Sequence, residues 1–284
     1  MRSFLPLINK YFFILFQGII SIIKSFWINR RLIYQLTKLE IKDRYKGSYF
    51  GVFWSILTPL GMLLVYTFVF SVIIKLKWEG GLTGNHSEYA ISLFSGLIAF
   101  NFFSEALLSA PNVIINNPNY VKKIIFPVEI LPVIKVFSAL IHSFLNIIIL
   151  LIGTIIVFKT IPLTVFYLPL IYIPLILFCL GLCWFIASSS VFIQDINHAL
   201  GIGVQMLFFL SPVFYPILAV PESIRSVFYL NPLVFIINNF RNVILWGNAP
   251  DFGSYLVILA VSIIVCLSGF LWFCKGKKGF ADVI

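Results

Sequence analysis

The feature that most constrains this chain is a succession of six long apolar segments, at about 49–74, 89–110, 133–158, 163–191, 199–220 and 255–273. An α-helix needs roughly 20 apolar residues to cross the hydrocarbon core of a bilayer, and each segment is close to or above that length. Lipid offers no hydrogen bonds, so a backbone inside it must bond to itself, as a helix does. Composition argues against a soluble fold. Of the 284 residues, 61% are hydrophobic and 11% charged, against roughly a half and a quarter in soluble domains. The expectation is an all-α integral membrane protein with six transmembrane helices. Pro59, Pro169, Pro174, Pro212 and Pro216 fall inside these segments and read as bends, tolerated where neighbours re-satisfy the freed carbonyls.

Two segments precede the first span. Residues 11–23 are apolar but short, with Arg2 and Lys10 before them, no small-residue cleavage site, and Lys24, Arg30 and Arg31 after. They read as a helix lying on the membrane surface, with an additional short span as the alternative. Residues 32–49 set Leu32, Leu36 and Leu39 at helical spacing among Lys38, Glu40, Lys42, Asp43, Arg44 and Lys46, which makes a basic amphipathic helix. The chain thus divides into an amino-terminal interfacial segment, 1–48, and a six-span domain, 49–284.

Three basic clusters set the orientation: Lys24 to Lys46, then Lys122 with Lys123, then Lys275, Lys277 and Lys278. With six spans all three share one side. The positive-inside rule makes that side cytoplasmic, so both termini are expected there. The opposite loops hold only Lys75, Lys77, Lys159, Arg225 and Arg241. The formal net charge of +10 therefore reports topology and contact with acidic membrane lipids, not nucleic-acid binding. On the outer side, residues 221–254 hold a second apolar stretch, 233–245, too short to cross and interrupted by Asn238, Asn239 and Arg241. A re-entrant or interfacial helix pair between spans five and six is the expected form.

Residues suited to catalysis are sparse. There is no G-x-x-x-x-G-K-[ST] loop to cradle ATP, and no H-E-x-x-H or G-x-S-x-G motif. Ten acids and three separated histidines (His86, His142, His198) form no metal-spaced cluster. Cys179, Cys183, Cys266 and Cys274 lie in or beside apolar runs and read as inert core thiols. A transport component is expected, not an enzyme, with no metal or cofactor of its own. Glu105 is the one acid well inside an apolar run, which makes it a functional candidate by default. It is expected near the cytoplasmic end of span two, with Lys135 near the cytoplasmic start of span three. A local Glu105–Lys135 ion pair is the favoured reading. A proton relay with His142 is the alternative.

The stretch Glu40-Ile41-Lys42-Asp43-Arg44-Tyr45-Lys46-Gly47-Ser48-Tyr49-Phe50-Gly51-Val52-Phe53-Trp54, followed by Pro59, resembles the start of ABC-type polysaccharide-export permeases. Their pattern is similar to L-K-x-R-Y-x-x-S-x-L-G-x-x-W-x-x-x-x-P. The likeness continues through Ser95-Gly96, Asn101-Phe102-Phe103, Asn116-Asn117-Pro118, Lys123, Phe126-Pro127 and Leu131-Pro132. It extends to Asp195-Ile196, Ser211-Pro212-Val213, Tyr215, Asn231-Pro232-Leu233 and Phe240-Arg241. One departure is Gln194 before Asp195, where the family usually has arginine.

The resemblance implies a homodimer bound to two copies of a separate ATPase subunit that carries ATP and Mg. It implies export of an undecaprenyl-linked polysaccharide or polyol-phosphate polymer (O-antigen, capsule or teichoic acid) across the bacterial cytoplasmic membrane. It also makes the loop 116–127 similar to the coupling helix that docks on the ATPase. Asn116, Asn117, Lys122, Lys123, Phe126, Pro127 and Asp195 are the candidate contacts.

A lipid-linked glycan needs an amphiphilic path, and sugars stack on aromatic faces. Trp54, Tyr66, Phe70, Phe100, Phe102 and Phe103 are the candidate path residues, with lipid-facing filler as the plain reading of the same rings. Lys42, Arg44 and Lys46 suit an approaching phosphate head, or simply form a lipid-facing basic surface. Arg241 is either a contact for the emerging diphosphate or an interfacial anchor. Rival functions are an ABC permease for a drug or small lipid and a proton-coupled lipid flippase working alone. A membrane glycosyl- or acyltransferase would need paired acids or a His–acid site, and none is evident.

Overall fold

The computed structural model describes residues 5–75, 86–122 and 126–283. Among them there is no strand, as expected of a chain whose backbone must satisfy itself in lipid. The helices are α1 (Leu5–Arg44), α2 (Trp54–Tyr66), α3 (His86–Ser109), α4 (Asn112–Ile115), α5 (Pro118–Val121) and α6 (Ile130–Phe158). They continue with α7 (Leu168–Phe192), α8 (Ile196–Leu210), α9 (Glu222–Phe228), α10 (Pro232–Arg241), α11 (Phe252–Gly276) and α12 (Phe280–Val283).

Among the described residues, five helical stretches are long and apolar enough to cross a membrane: Trp54–Ile73, His86–Ser109, Ile130–Phe158, Leu163–Phe192 and Phe252–Val283. The expected span at 199–220 takes a different form. Its helix is α8, 15 residues long, or about 22 Å at 1.5 Å per residue. Hydropathy continues past it, but Ser211 leaves the helix at φ −102°, ψ 145°. Pro212 follows, and a residue before proline is pushed out of the helical region.

The two amino-terminal segments read separately are one helix. No proline or glycine lies between residues 19 and 46, so α1 continues through Arg30 and Arg31 to Arg44, 40 residues in all. Its inner face, with Ile33 and Thr37 buried, packs mainly on α6.

Burial divides the spans sharply. In the most apolar window of α3, 78% of residues are buried, against 6% for the stretch Trp54–Ile73. The first is the hub of the chain; the second lies at its edge with nearly every face bare. The expected helix pair after span five is present as α9 and α10. Only α9 lies at the surface, with no buried residue; α10 buries Leu233, Val234, Ile236, Ile237 and Phe240, mostly against α3. Asn231 caps it, its Oδ1 accepting from the Leu233 N–H at 3.0 Å.

Helices α7 and α11 lie against each other along most of their length. Glycines permit this. A Cβ on Gly181 would sit 2.6 Å from the backbone nitrogen of Cys266, and one on Gly269 would strike the Gly181 carbonyl. The ends of α3, α7 and α11 gather with the starts of α6 and α8. Ser190 Oγ donates to the Pro111 carbonyl at 2.8 Å, and Lys277 pairs with Glu129 at 2.6 Å. The carboxyl-terminal basic cluster thus meets the start of α6 at one end of the bundle.

Candidate functional site

The candidate site lies where the end of α1 meets α2, α3 and α6. A cavity of about 400 Å³ opens there, lined among others by Arg44, Trp54, Asn101, Glu105, His142 and Asn146. A second cavity of about 360 Å³ shares Met62, Asn101 and Ser104 with it and adds Tyr66, Phe100, Gln205 and Phe208. Together they form one groove along the poorly covered helix α2. It is charged at the α1 end and aromatic farther along.

Arg44 and Glu105 form an ion pair, and His142 Nδ1 lies 2.7 Å from the same carboxylate oxygen. His142 Nε2 lies 3.3 Å from the Tyr45 hydroxyl. Arg44 Nη1 lies 3.0 Å from the same Nδ1. The neutral tautomer with Nδ1–H donating to Glu105 and Nε2 accepting from Tyr45 satisfies those two contacts and leaves Arg44 to the carboxylate. The expected Glu105–Lys135 pair does not form. Lys135 instead pairs with Glu40 at 2.5 Å. The reason is α1: it packs along α6 and brings Arg44 and Glu40, four residues apart on one helical face, to Glu105 on α3 and Lys135 on α6. Glu105 and Lys135 each find an ion-pair partner on α1, while His142 joins Glu105 from the neighbouring span.

Arg241 is neither an outer-surface anchor nor a free phosphate contact. It is fully buried, with Nε donating to the Ser92 carbonyl at 3.0 Å, Nη1 to Pro212 at 2.5 Å and Nη2 to Val213 at 2.6 Å. A Cβ on Gly96 would lie 2.5 Å from Nη2, so glycine there makes room for the guanidinium. Asn231 Nδ2 donates to Ser211 Oγ at 3.0 Å, and the Tyr89 hydroxyl donates to the Phe214 carbonyl at 2.9 Å. The scattered pieces Ser95-Gly96, Ser211-Pro212-Val213, Asn231-Pro232 and Phe240-Arg241 are therefore one structural clamp.

The other candidates separate clearly. Lys42 and Lys46 are exposed beyond the cavity. Trp54, Tyr66 and Phe100 line the groove. Phe70 stacks on Phe214 with centroids 4.7 Å apart, beside Tyr66. Phe102 and Phe103 are buried in the interior, against Tyr172 and Phe178 respectively, and contribute packing.

In the connection from α4 to α6, Asn116 and Lys122 are exposed, and Asn117 Nδ2 donates to the Val113 carbonyl at 2.9 Å. Phe126 stacks on Tyr120 at 4.4 Å, and the Pro127 carbonyl accepts from the Ile130 N–H. Lys123 lies outside the described residues. Asp195 and Gln194 are exposed in the turn before α8, where the Asp195 carbonyl accepts from Ala199 at 3.0 Å. A small cavity of about 120 Å³ joins this loop to α1 through Glu40, Asp43, Asn117, Tyr120 and Lys135.

Sequence reasoning missed Asn101, Asn146 and Tyr45 as parts of the site. The signal was present: Asn101 and Glu105 on α3, and His142 and Asn146 on α6, repeat at four residues inside apolar helices. Among the described residues no group of three or more His, Cys, Asp or Glu side chains could hold a metal ion.

Comparison with known proteins agrees with this architecture. Residues 31–245 match the family model described as ABC-2 type transporter. The chain is 24% identical over 254 residues to the O-antigen export system permease protein RfbA of Klebsiella pneumoniae, covering 89% of this chain and 95% of that one. It is 25% identical over 267 residues to the protein of the same name from Myxococcus xanthus, covering 93% of this chain and all of that one. The chain belongs to the ABC-2 type transporter family, and is a membrane component of an ABC transporter.

Proposed function

We propose that this chain is the permease subunit of an ATP-driven exporter, moving an undecaprenyl-linked, O-antigen-like polysaccharide out of the cytoplasm across the bacterial cytoplasmic membrane. The observation that carries the reading is the groove along α2: a cation beside polar groups at one end, aromatic rings beyond. An anionic head and a run of sugars need those surfaces in that order. The export permeases similar to this chain over nearly their whole length support the same substrate class. Export also assigns the bare face of α2 to a second copy of the chain, so that two grooves close into one path in a homodimer.

In this reading six crossings place both termini and all three basic clusters in the cytoplasm, with α8 as the short fifth crossing. Two copies of a separate ATPase, which hold ATP and Mg, dock at the loop 116–127 and at Asp195. Their closure moves the loop, and the cavity shared with Glu40 and Lys135 passes that movement to α1.

The test is reconstitution of the permease with its co-purifying ATPase in proteoliposomes. Lipid-linked glycan is expected to stimulate ATP hydrolysis, and drugs or short lipids are not. Stimulation by the latter alone would assign the chain to a drug or small-lipid permease. One contact favours a second reading: Glu105 and His142 meet inside the spans, as a proton-coupled flippase would need. Transport by the chain without any ATPase would establish that alternative.

A further inference from the structure

The cavity at the head of α2 holds an arrangement that export alone does not call for. Arg44 is the cation best placed to meet a phosphate there, yet Glu105 already neutralises it. An incoming anion meets the carboxylate's repulsion along with the guanidinium's attraction, so a fixed pair is a poor phosphate trap. This pair is not sealed. The side chains of Arg44 and Glu105 are 36% and 25% exposed, and both line the cavity. Glu105 also has a second partner. The His142 Nδ1 at 2.7 Å lets the carboxylate keep a hydrogen bond when Arg44 leaves it.

The same cavity has an unmet acceptor. Asn146 is 7% exposed, and its Nδ2 is committed to the His142 carbonyl at 3.0 Å. Its Oδ1 has no hydrogen-bond partner among the described residues. A buried amide oxygen is costly to leave unpaired, and a sugar hydroxyl or amide N–H would satisfy it.

We infer that Glu105 is a built-in competitor: it holds Arg44 while the cavity is free and yields it to the phosphoryl group of a sugar phosphate ester whose adjoining sugar donates to Asn146. Charge at Arg44 is balanced before and after, by the carboxylate and then by the phosphoryl oxygen. Arg44 is the last residue of α1, so the exchange frees the tip of that helix from α3. The Glu40–Lys135 pair, one turn back, keeps the rest of α1 in place. The ligand class rests on the export reading; the exchange rests on the cavity alone.

The test is calorimetric titration of the full-length protein in nanodiscs with farnesyl diphosphate, inorganic pyrophosphate and farnesol. Glu105→Gln removes the competing charge and is expected to tighten diphosphate binding roughly tenfold, and Arg44→Gln to weaken it by about the same factor. Farnesol should respond to neither. Tighter binding of farnesyl diphosphate than of pyrophosphate would assign the phosphoryl group to a lipid head, and equal binding to a free phosphate compound.

Lys135→Gln breaks the other pair on α1 and should leave affinity unchanged. Should Glu105→Gln fail to fold, Glu105→Asp, whose carboxylate reaches less far, is expected to tighten binding in the same direction. Unchanged affinity on altering Glu105, or equal tightening by Lys135→Gln, would overturn the inference. ATPase stimulation by lipid-linked glycan is read separately. Stimulation without exchange defeats only the competitor, and exchange without stimulation defeats only the export reading.

Discussion

Two arginines within one membrane chain are handled in opposite ways. Arg241 is fully buried, and its partners include three backbone carbonyls that the fold itself holds still. Arg44 is a third exposed and leans on the Glu105 carboxylate and the His142 ring beside an open cavity. Carbonyls fixed by their helices and turns cannot be traded for a ligand, whereas a side-chain anion can swing away. The first arginine therefore belongs to the structure, and the second to whatever enters the groove.

The comparison is broken most directly at Arg241. Arg241→Met strands buried carbonyls and is expected to cost about 3–5 kcal/mol, read as a large fall in melting temperature in detergent. A variant as stable as the parent but inactive in transport would put Arg241 in the path and dissolve the contrast. Gly96→Ala drives a Cβ against the same guanidinium and should cost about 1–3 kcal/mol. The double variant should be less than additive, because the two changes share one cavity.

At the other arginine the expected effects on stability are small. Arg44→Gln should cost about 1 kcal/mol or less, as for other partly exposed pairs, while abolishing glycan-stimulated ATPase activity. Equal losses of stability at both sites would erase the distinction. Smallest of all, Lys135→Gln should cost roughly 0.5 kcal/mol and slow transport only in so far as α1 is loosened. The thermal shift and the ATPase rate of the same preparation check both.

Much of the fold was legible because lipid imposes few solutions. Apolar length marked the five long helical stretches, and the helix within the short stretch 233–245, α10, is ten residues long. What hydropathy could not read was where an apolar chain turns: the break at Ser211-Pro212 is a matter of backbone dihedrals, not of polarity. In the site, Glu105 and Arg44 were both singled out, but the partner assigned to Glu105 was wrong. Span-to-span proximity was inferable from the order of the chain. The packing of α1 along α6 was not, and it decides both ion pairs. Arg241 misled for a similar reason. A lone arginine beside two asparagines looks like a surface group until Gly96, Pro212 and Val213, far off in sequence, are seen around it.

The close approach of Gly181 and Gly269 has a consequence for how such a molecule could move. Where two backbones touch, no side chain is available to change rotamer and absorb a slip. A shift of one residue would set a branched or aromatic group against the opposite chain. Helices α7 and α11 therefore behave as a fixed chassis, and displacement during a work cycle must be taken up elsewhere. The thinly covered α2 and the tip of α1 are the parts left free to travel against it.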